Sequence, residues 1–283
     1  MKLSDKALLV QLTISTWTAR KHDKGVTKAA IDANYASSTA GRFNKHLLPH
    51  SDLLDNVHRK AGQIRTFFYA QTLPWGIEGV QLLPSKNYLD FMNAMRTHKS
   101  EFEHITSMFL FDYPYQVRKA AQFLGQMYNP DDYPTEDEIR SKFAIDMAAY
   151  PVPSDDFRCS IDDDELLAIQ NDVRRRVMEA QSKAMHEVWQ RLYDRLQKTY
   201  EKLVQPDAIF RDSLLENINE ICEILPRLNI NDDTDLEQMR QDVLNKVAAF
   251  SPDALRQDKT LRSDTASETK AIMDKMAAFM GGM

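Results

Sequence analysis

The sequence predicts an α+β protein that is mostly α. A small antiparallel sheet with helices occupies the N-terminal half, and a long helix with an antiparallel helical bundle occupies the C-terminal half. Three observations carry this. Leu8, Val10, Leu12 and Ile14 alternate with Leu9, Gln11, Thr13 and Ser15, the period of two that gives a strand one buried face. Ser160 to Gln205 contains neither proline nor glycine, and its apolar residues recur at steps of three or four. Three more helical patterns follow, with no internal repeat among them. The expected divisions are an α+β domain over 1–153, a long-helix bundle over 160–250, and a linker with a methionine-rich helix over 251–283.

Taken in order, a strand ends at Trp17 and the basic run Arg20-Lys21-His22-Asp23-Lys24 follows. Val26 to Asn34 reads as a short helix and Gly41 to Leu48 as an extended piece stopped by Pro49. Ser51 caps a helix reaching about Leu73, with Leu53, Leu54, Val57, Ala61, Ile64, Phe67 and Phe68 on its buried side. Val80 to Leu83 is a short strand. Ser85 opens a helix to about Phe111, Pro114 is expected to break it, and Tyr115 to Tyr128 forms a shorter one. Thr135 caps one or two turns, and Phe143, Ile145 and Met147 alternate as a last strand.

The long helix presents Leu166, Ile169, Val173, Val177, Ala180, Ala184, Val188, Leu192, Leu196, Tyr200 and Leu203. Ten steps cover 37 residues, nearer 3.7 than the 3.5 of a left-handed supercoil, so packing against several neighbours is expected. Met178, Met185, Trp189 and Tyr193 widen the stripe. Asp162 with Glu165 three residues on reads as a capping-box start; a divalent metal on these acids is the less common alternative. Later helices are expected over 208–225 (Ile209, Leu214, Ile218, Ile221, Leu225), 235–250 (Leu236, Met239, Val243, Leu244, Val247) and 263–280, with 251–262 as a polar connection.

Composition excludes several classes. Eight glycines among 283 residues are well under half the usual frequency of about 7%, and no glycine-rich phosphate loop or nucleophile elbow occurs. Cys159 and Cys222 are too few for a Cys-x-x-Cys site and suit a reduced cytoplasmic protein, although one disulfide stays open. The N-terminus lacks the pattern of a signal peptide, and no stretch is apolar enough to span a bilayer. None of the seven histidines forms a His-Glu-x-x-His pair, so no metal, cofactor or catalytic residue is expected. Asn231, Asp233 and Asp235 have the spacing of a calcium loop, but Leu236 and Asp242 stand where that loop needs glycine and glutamate, which favours helix capping.

Two regions could bind something. Residues 1–100 carry 14 Lys/Arg and 7 Asp/Glu, whereas the remainder carries 22 and 35. Trp17, Arg20, Lys21, Lys24, Lys28, Arg42 and Lys45, interleaved with Tyr35, Phe43, Phe67, Phe68 and Trp75, could form a basic groove with stacking aromatics for single-stranded nucleic acid; a solvated basic face over core aromatics is the plainer reading. At the tail, Met273, Met276, Phe279 and Met280 could dock into a partner's groove, although packing on their own bundle is the commoner outcome.

The segment from Leu8 to Lys21, a short apolar strand running into Ser-x-Trp-x-x-Arg-Lys at Ser15 to Lys21, resembles the start of an uncharacterised phage and bacterial family of unknown function. The likeness covers about the first 50 residues; beyond them it is only long and helical. It implies a phage accessory protein in the host cytoplasm, sometimes encoded near MoxR-type AAA+ ATPases and von Willebrand factor A-domain proteins, and it supplies no catalytic residues. The expected function is therefore non-enzymatic: self-assembly or adaptor work through the long helix. A nucleic-acid-binding accessory of replication or recombination is second, and an inhibitor of host defence, its acidic half mimicking nucleic acid, is third.

Overall fold

A computed structural model describes residues 2–155, 159–205 and 211–281. Its elements run β1 (Ala7–Ser15), β2 (Arg20–His22), α1 (Lys24–Ala33), β3 (Asn44–His46), α2 (Asp52–Ala70), β4 (Leu73–Pro74), β5 (Val80–Pro84), α3 (Tyr88–Leu124), α4 (Glu136–Ser141), β6 (Ala144–Pro151), α5 (Asp163–Val204), α6 (Ser213–Leu228), α7 (Thr234–Lys246), α8 (Pro252–Gln257) and α9 (Lys259–Met280). The protein is α+β and mostly α, with a four-stranded sheet in the order β4-β5-β1-β6 and a separate β2-β3 ribbon.

The compact units do not follow the expected sequence divisions. One contains Met1–Gln11, Phe68–Met92 and Ala148–Met283; the other contains Leu12–Phe67 and Asn93–Met147. The reason lies in pairing. β1 runs antiparallel to β5, from Ala7 opposite Pro84 to Gln11 opposite Val80, and β4 pairs with β5 through Leu73 and Leu82. Leu9, Leu73 and Leu82 join the same core as the long helix, so these N-terminal strands belong with the C-terminal bundle.

In that first unit α5 is the spine, 42 residues and about 63 Å at ~1.5 Å per residue. Its buried side chains begin at Ala180 and continue through Ala184, Met185, Val188, Trp189, Leu192, Leu196, Thr199 and Leu203. These pack with Ile218, Cys222 and Leu225 of α6, Met239 and Val243 of α7, and Ile272, Met273 and Met276 of α9. The polar connection expected over 251–262 is instead helical. Ser251 accepts from the Ala254 N–H ahead of Pro252, and Asp258 accepts from the Thr260 and Leu261 N–H groups, so each helix has its own cap. Arg262 is buried, and its guanidinium donates to the Leu203 and Lys202 carbonyls at 2.9 Å each and to Gln205 O. It thereby satisfies the free carbonyls at the end of α5.

The second unit is built on the parts of α2 and α3 that lie within it. Leu54, Val57, Ala61 and Ile64 of α2 and Phe102, Phe109, Tyr113 and Ala120 of α3 are buried. The break expected at Pro114 does not occur, and α3 runs through it. Phe109 and Tyr113 are almost fully buried and the Tyr113 hydroxyl donates to Pro134 O at 2.8 Å, so packing holds the helix where one backbone bond is missing. The helix expected over 208–225 is α6 from Ser213 to Leu228; residues 208–210, including Ile209, lie outside the described residues, as does Pro206.

Candidate functional site

The basic N-terminal residues sit in the second unit, and the β2-β3 ribbon sorts them. Arg20 lies opposite His46, Lys21 opposite Lys45, and His22 opposite Asn44. Because successive strand residues point to opposite faces, Arg20 and His46 share one face while Lys21 and Lys45 share the other. On that second face both lysines meet Asp132: Lys21 Nζ is 2.7 Å from Oδ1 and Lys45 Nζ 2.6 Å from Oδ2. Lys45 is 7% exposed; its ammonium also donates to Met127 O at 2.7 Å and lies 3.6 Å from Asp23. Burial pushes the Asp132 carboxyl up, but the two ammonium groups outweigh it and hold the carboxyl below its ordinary range. Two of the expected nucleic-acid cations are thus neutralised within the protein.

The other members disperse. Trp17 is half-buried and meets Tyr113 edge-on at 5.8 Å, a core contact rather than an open stacking platform. Phe68 and Trp75 are also buried. Lys24, Lys28 and Arg42 are exposed and form no ion pair among the described residues, and the exposed aromatics nearby in sequence are Tyr35 and Phe43.

The opposite face of the ribbon opens into a cavity of about 410 Å³, which gathers Arg20 and His46 with His58 and Arg65 of α2 and the Thr16 and Thr18 side chains. Asp55 is the one carboxylate in its lining. His58 Nε2 is 2.9 Å from Trp17 O; a carbonyl only accepts, so the proton is assigned to Nε2. Arg65 donates to Ile14 O at 3.0 Å. Ala19 holds φ at +50°, buried, with its carbonyl accepting from Leu47 N–H at 2.7 Å. That left-handed residue turns the chain between β1 and β2 and sets Thr18 and Arg20 at the cavity. A larger cavity of about 590 Å³ in the first unit mixes Arg191, Arg195, Lys198 and Arg227 with Asp194, Glu220 and Glu223, so it has no single charge preference.

The tail residues lie in the first unit, where Met273 and Met276 face inward. Met273 and Met276 are core residues, and Phe279 stacks on the Trp189 indole at 5.5 Å between centroids. Met280 packs at the margin of the same core. Met273 and Met276 thus take the outcome expected as the commoner one, packing in the core shared with α5, while Phe279 stays 39% exposed.

The start of α5 is also uncovered. From Asp163 to Glu179 no side chain is fully buried. Leu166, Val173 and Val177 are partly covered, and Val173 and Val177 line a cavity with Lys2, Leu3 and Ser4. The opposite side is open. Asp164, Ala168, Asn171, Arg175 and Met178 of α5 are all exposed, at steps of 4, 3, 4 and 3, and Ile161, two residues before the helix, is exposed as well. Residues at such spacing share one helix face, although this face is mixed rather than the apolar a/d row of a coiled coil. Ile161 is 37% and Met178 65% exposed, and neighbouring Leu167 57%. Asp164 forms no ion pair among the described residues; Arg175 bonds Asp172 and, at 2.7 Å, Glu179 on its own helix. The apolar stripe is the stronger signal in the sequence of α5, but the 4-3-4-3 rhythm of this mixed face is present in the residues too.

The remaining motifs resolve as caps. Asp162 accepts from the Asp164 N–H at 3.1 Å, and Asp233 accepts from the Asp235 and Leu236 N–H groups at 3.0 and 3.1 Å. Both cysteines are free thiols, Cys159 exposed and Cys222 buried, where burial pushes the thiol up to about 11. Among the described residues no group of three His, Cys, Asp or Glu is placed to hold a metal ion, and no helix is long and apolar enough to cross a membrane. No protein-family model, curated protein or solved structure matches this chain.

Proposed function

We propose that this chain is a non-enzymatic scaffold that associates with a second copy of itself through the exposed stripe at the start of α5. The observation that carries the reading is the symmetry of that stripe. Reflected about the midpoint between Ile169 and Gln170, Ile161 falls opposite Met178, Asp164 opposite Arg175, and Ala168 opposite Asn171. Two copies laid antiparallel would therefore pair oppositely charged residues at two equivalent positions, with Ala168 against Asn171 at the centre and Met178 near the Ile161 that precedes the other helix. Such self-complementarity is what a two-fold interface requires. Arg175 would exchange its exposed contacts with Asp172 and Glu179, each worth only a few tenths of a kcal/mol, for Asp164 of the second copy.

A helix pair of this length covers on the order of 1,000 Å², the low end for specific interfaces, so the association would be weak and concentration-dependent. Light scattering across a concentration series tests it. The chain should pass from monomer to dimer, less readily at high salt, and Ala168→Arg should keep it monomeric. A monomer at every concentration, or a dimer indifferent to Ala168→Arg, would overturn the reading. The first result would favour a heterologous occupant, of the MoxR-type ATPase or von Willebrand A-domain kind that the likeness at Ser15 to Lys21 implies. By that likeness the scaffold works in the cytoplasm of a phage-infected host.

A further inference from the structure

Beyond self-association, we propose that the cavity beside the β2-β3 ribbon binds a phosphate group of a phosphorylated ligand. Its lining has the chemistry that phosphate needs and an apolar ligand does not. Two guanidiniums converge on it, each able to offer paired N–H donors to two oxygens. The Arg20 side chain forms no ion pair or hydrogen bond among the described residues, while its backbone belongs to the ribbon. Arg65 spends one donor on Ile14 O, which orients the guanidinium and leaves the rest of its donor fork available.

The His46 imidazole and the hydroxyls of Thr16 and Thr18 add further polar groups to the lining. His58 is fixed by its Nε2–H bond to Trp17 O, which leaves Nδ1 as an acceptor that suits a protonated phosphate oxygen. His46 lies across the ribbon from Arg20, on the same face. Thr16 and Thr18 precede the turn at Ala19, whose positive φ is a conformation costing roughly 1–2 kcal/mol for a residue with a Cβ. Buried strain of this kind persists where surrounding structure enforces it, and here it sets the cavity's rim. Asp55 opposes an anion, but two arginines outnumber it. The ribbon's other face offers no comparable place, because Asp132 already occupies Lys21 and Lys45.

The same phosphate chemistry comes from free phosphate, a mononucleotide, or the backbone of single-stranded nucleic acid. Titration calorimetry of the full chain at low salt with inorganic phosphate, a nucleoside monophosphate and a short single-stranded oligonucleotide separates them. Saturable binding of at least one probe is expected, weakened tenfold or more by Arg20→Gln and by Arg65→Gln, and unchanged within twofold by Lys28→Ala on α1. Arg20→Gln is the cleaner variant, since Arg65 also bonds the backbone. Binding of the oligonucleotide alone assigns the backbone as the source, and binding of all three assigns a simple phosphate. No binding of any probe, or loss by Lys28→Ala as large as by Arg20→Gln, would overturn the proposal. Neither result bears on the α5 stripe, which is read by light scattering.

Discussion

The indole Nε1–H of Trp189, fully buried on α5, donates to Asp233 Oδ2 at 3.0 Å, while Oδ1 of the same carboxylate caps α7. One aspartate thus satisfies a buried donor on the spine and the free N–H groups of the helix beside it. Asn229 braces the loop, donating to Asp233 O and accepting from its N–H.

Asp233→Ala should cost about 2–4 kcal/mol, the sum of a lost cap and an unpartnered indole donor. Asp235→Ala, in the same acidic run, should cost far less. Thermal or denaturant unfolding of both variants checks the ranking. Because both oxygens of Asp233 are committed, millimolar calcium should leave the melting temperature unchanged; a rise would restore the calcium-loop reading.

Arg262→Met should destabilise the first unit by about 2–4 kcal/mol, since the last carbonyls of α5 lose charged donors in a buried place. Arg262→Lys should recover only part, because one ammonium cannot span the three carbonyls that the planar fork reaches. Chemical denaturation with both variants reads the difference.

Met276→Ala should cost about 2–5 kcal/mol, as expected for a fully buried methionine. Removing residues 263–283 should lower the melting temperature sharply. An unchanged melting temperature on removal would show that the tail is not part of the core.

Asp132 gives the second unit an acid-sensitive element. Its carboxyl lies below the ordinary range in the folded chain, so the unfolded chain binds the proton more readily. Its contribution is therefore fully present above the unfolded value near pH 4 and is lost as pH falls through the lower folded value. Asp132→Asn should lower stability most at neutral pH, with the gap to the unsubstituted chain closing below about pH 4. Lys45→Met alone should cost about 1–3 kcal/mol, since Asp132 keeps only the half-exposed Lys21 as its partner, and Lys45→Met with Asp132→Leu less. Melting temperatures from pH 2 to 8 provide the comparison.

Much of the fold was legible because its signals are local. The alternation at Leu8 to Ile14 gave β1, and the proline-free run after Ser160 gave α5. Thr135 and Glu138 form the capping box that opens α4. Three features were not legible, each decided by residues far apart in sequence. Pro114 stays helical because Tyr113 is anchored to Pro134. The stretch 251–262 looked polar, yet Arg262 is buried against carbonyls some sixty residues away, although Ser251-Pro252 is a readable start signal. Lys21 and Lys45 looked like free cations because Asp132 lies far along the chain. The cavity that collects Arg20, His58 and Arg65 depends on the same kind of distant meeting, whereas the symmetric stripe from Ile161 to Met178 was readable and is a matter of spacing alone.

The most direct measurement is a mixing experiment on that stripe. Asp164→Arg and Arg175→Asp would each place like charges opposite one another in an antiparallel pair, so each variant alone should be monomeric. Mixed in equal amounts, the chain with two arginines on its stripe meets the chain with two aspartates, and a one-to-one dimer should appear in sedimentation or light scattering while circular dichroism stays unchanged. Two variants that remain monomeric on mixing, or that dimerise as well alone as together, would contradict the account.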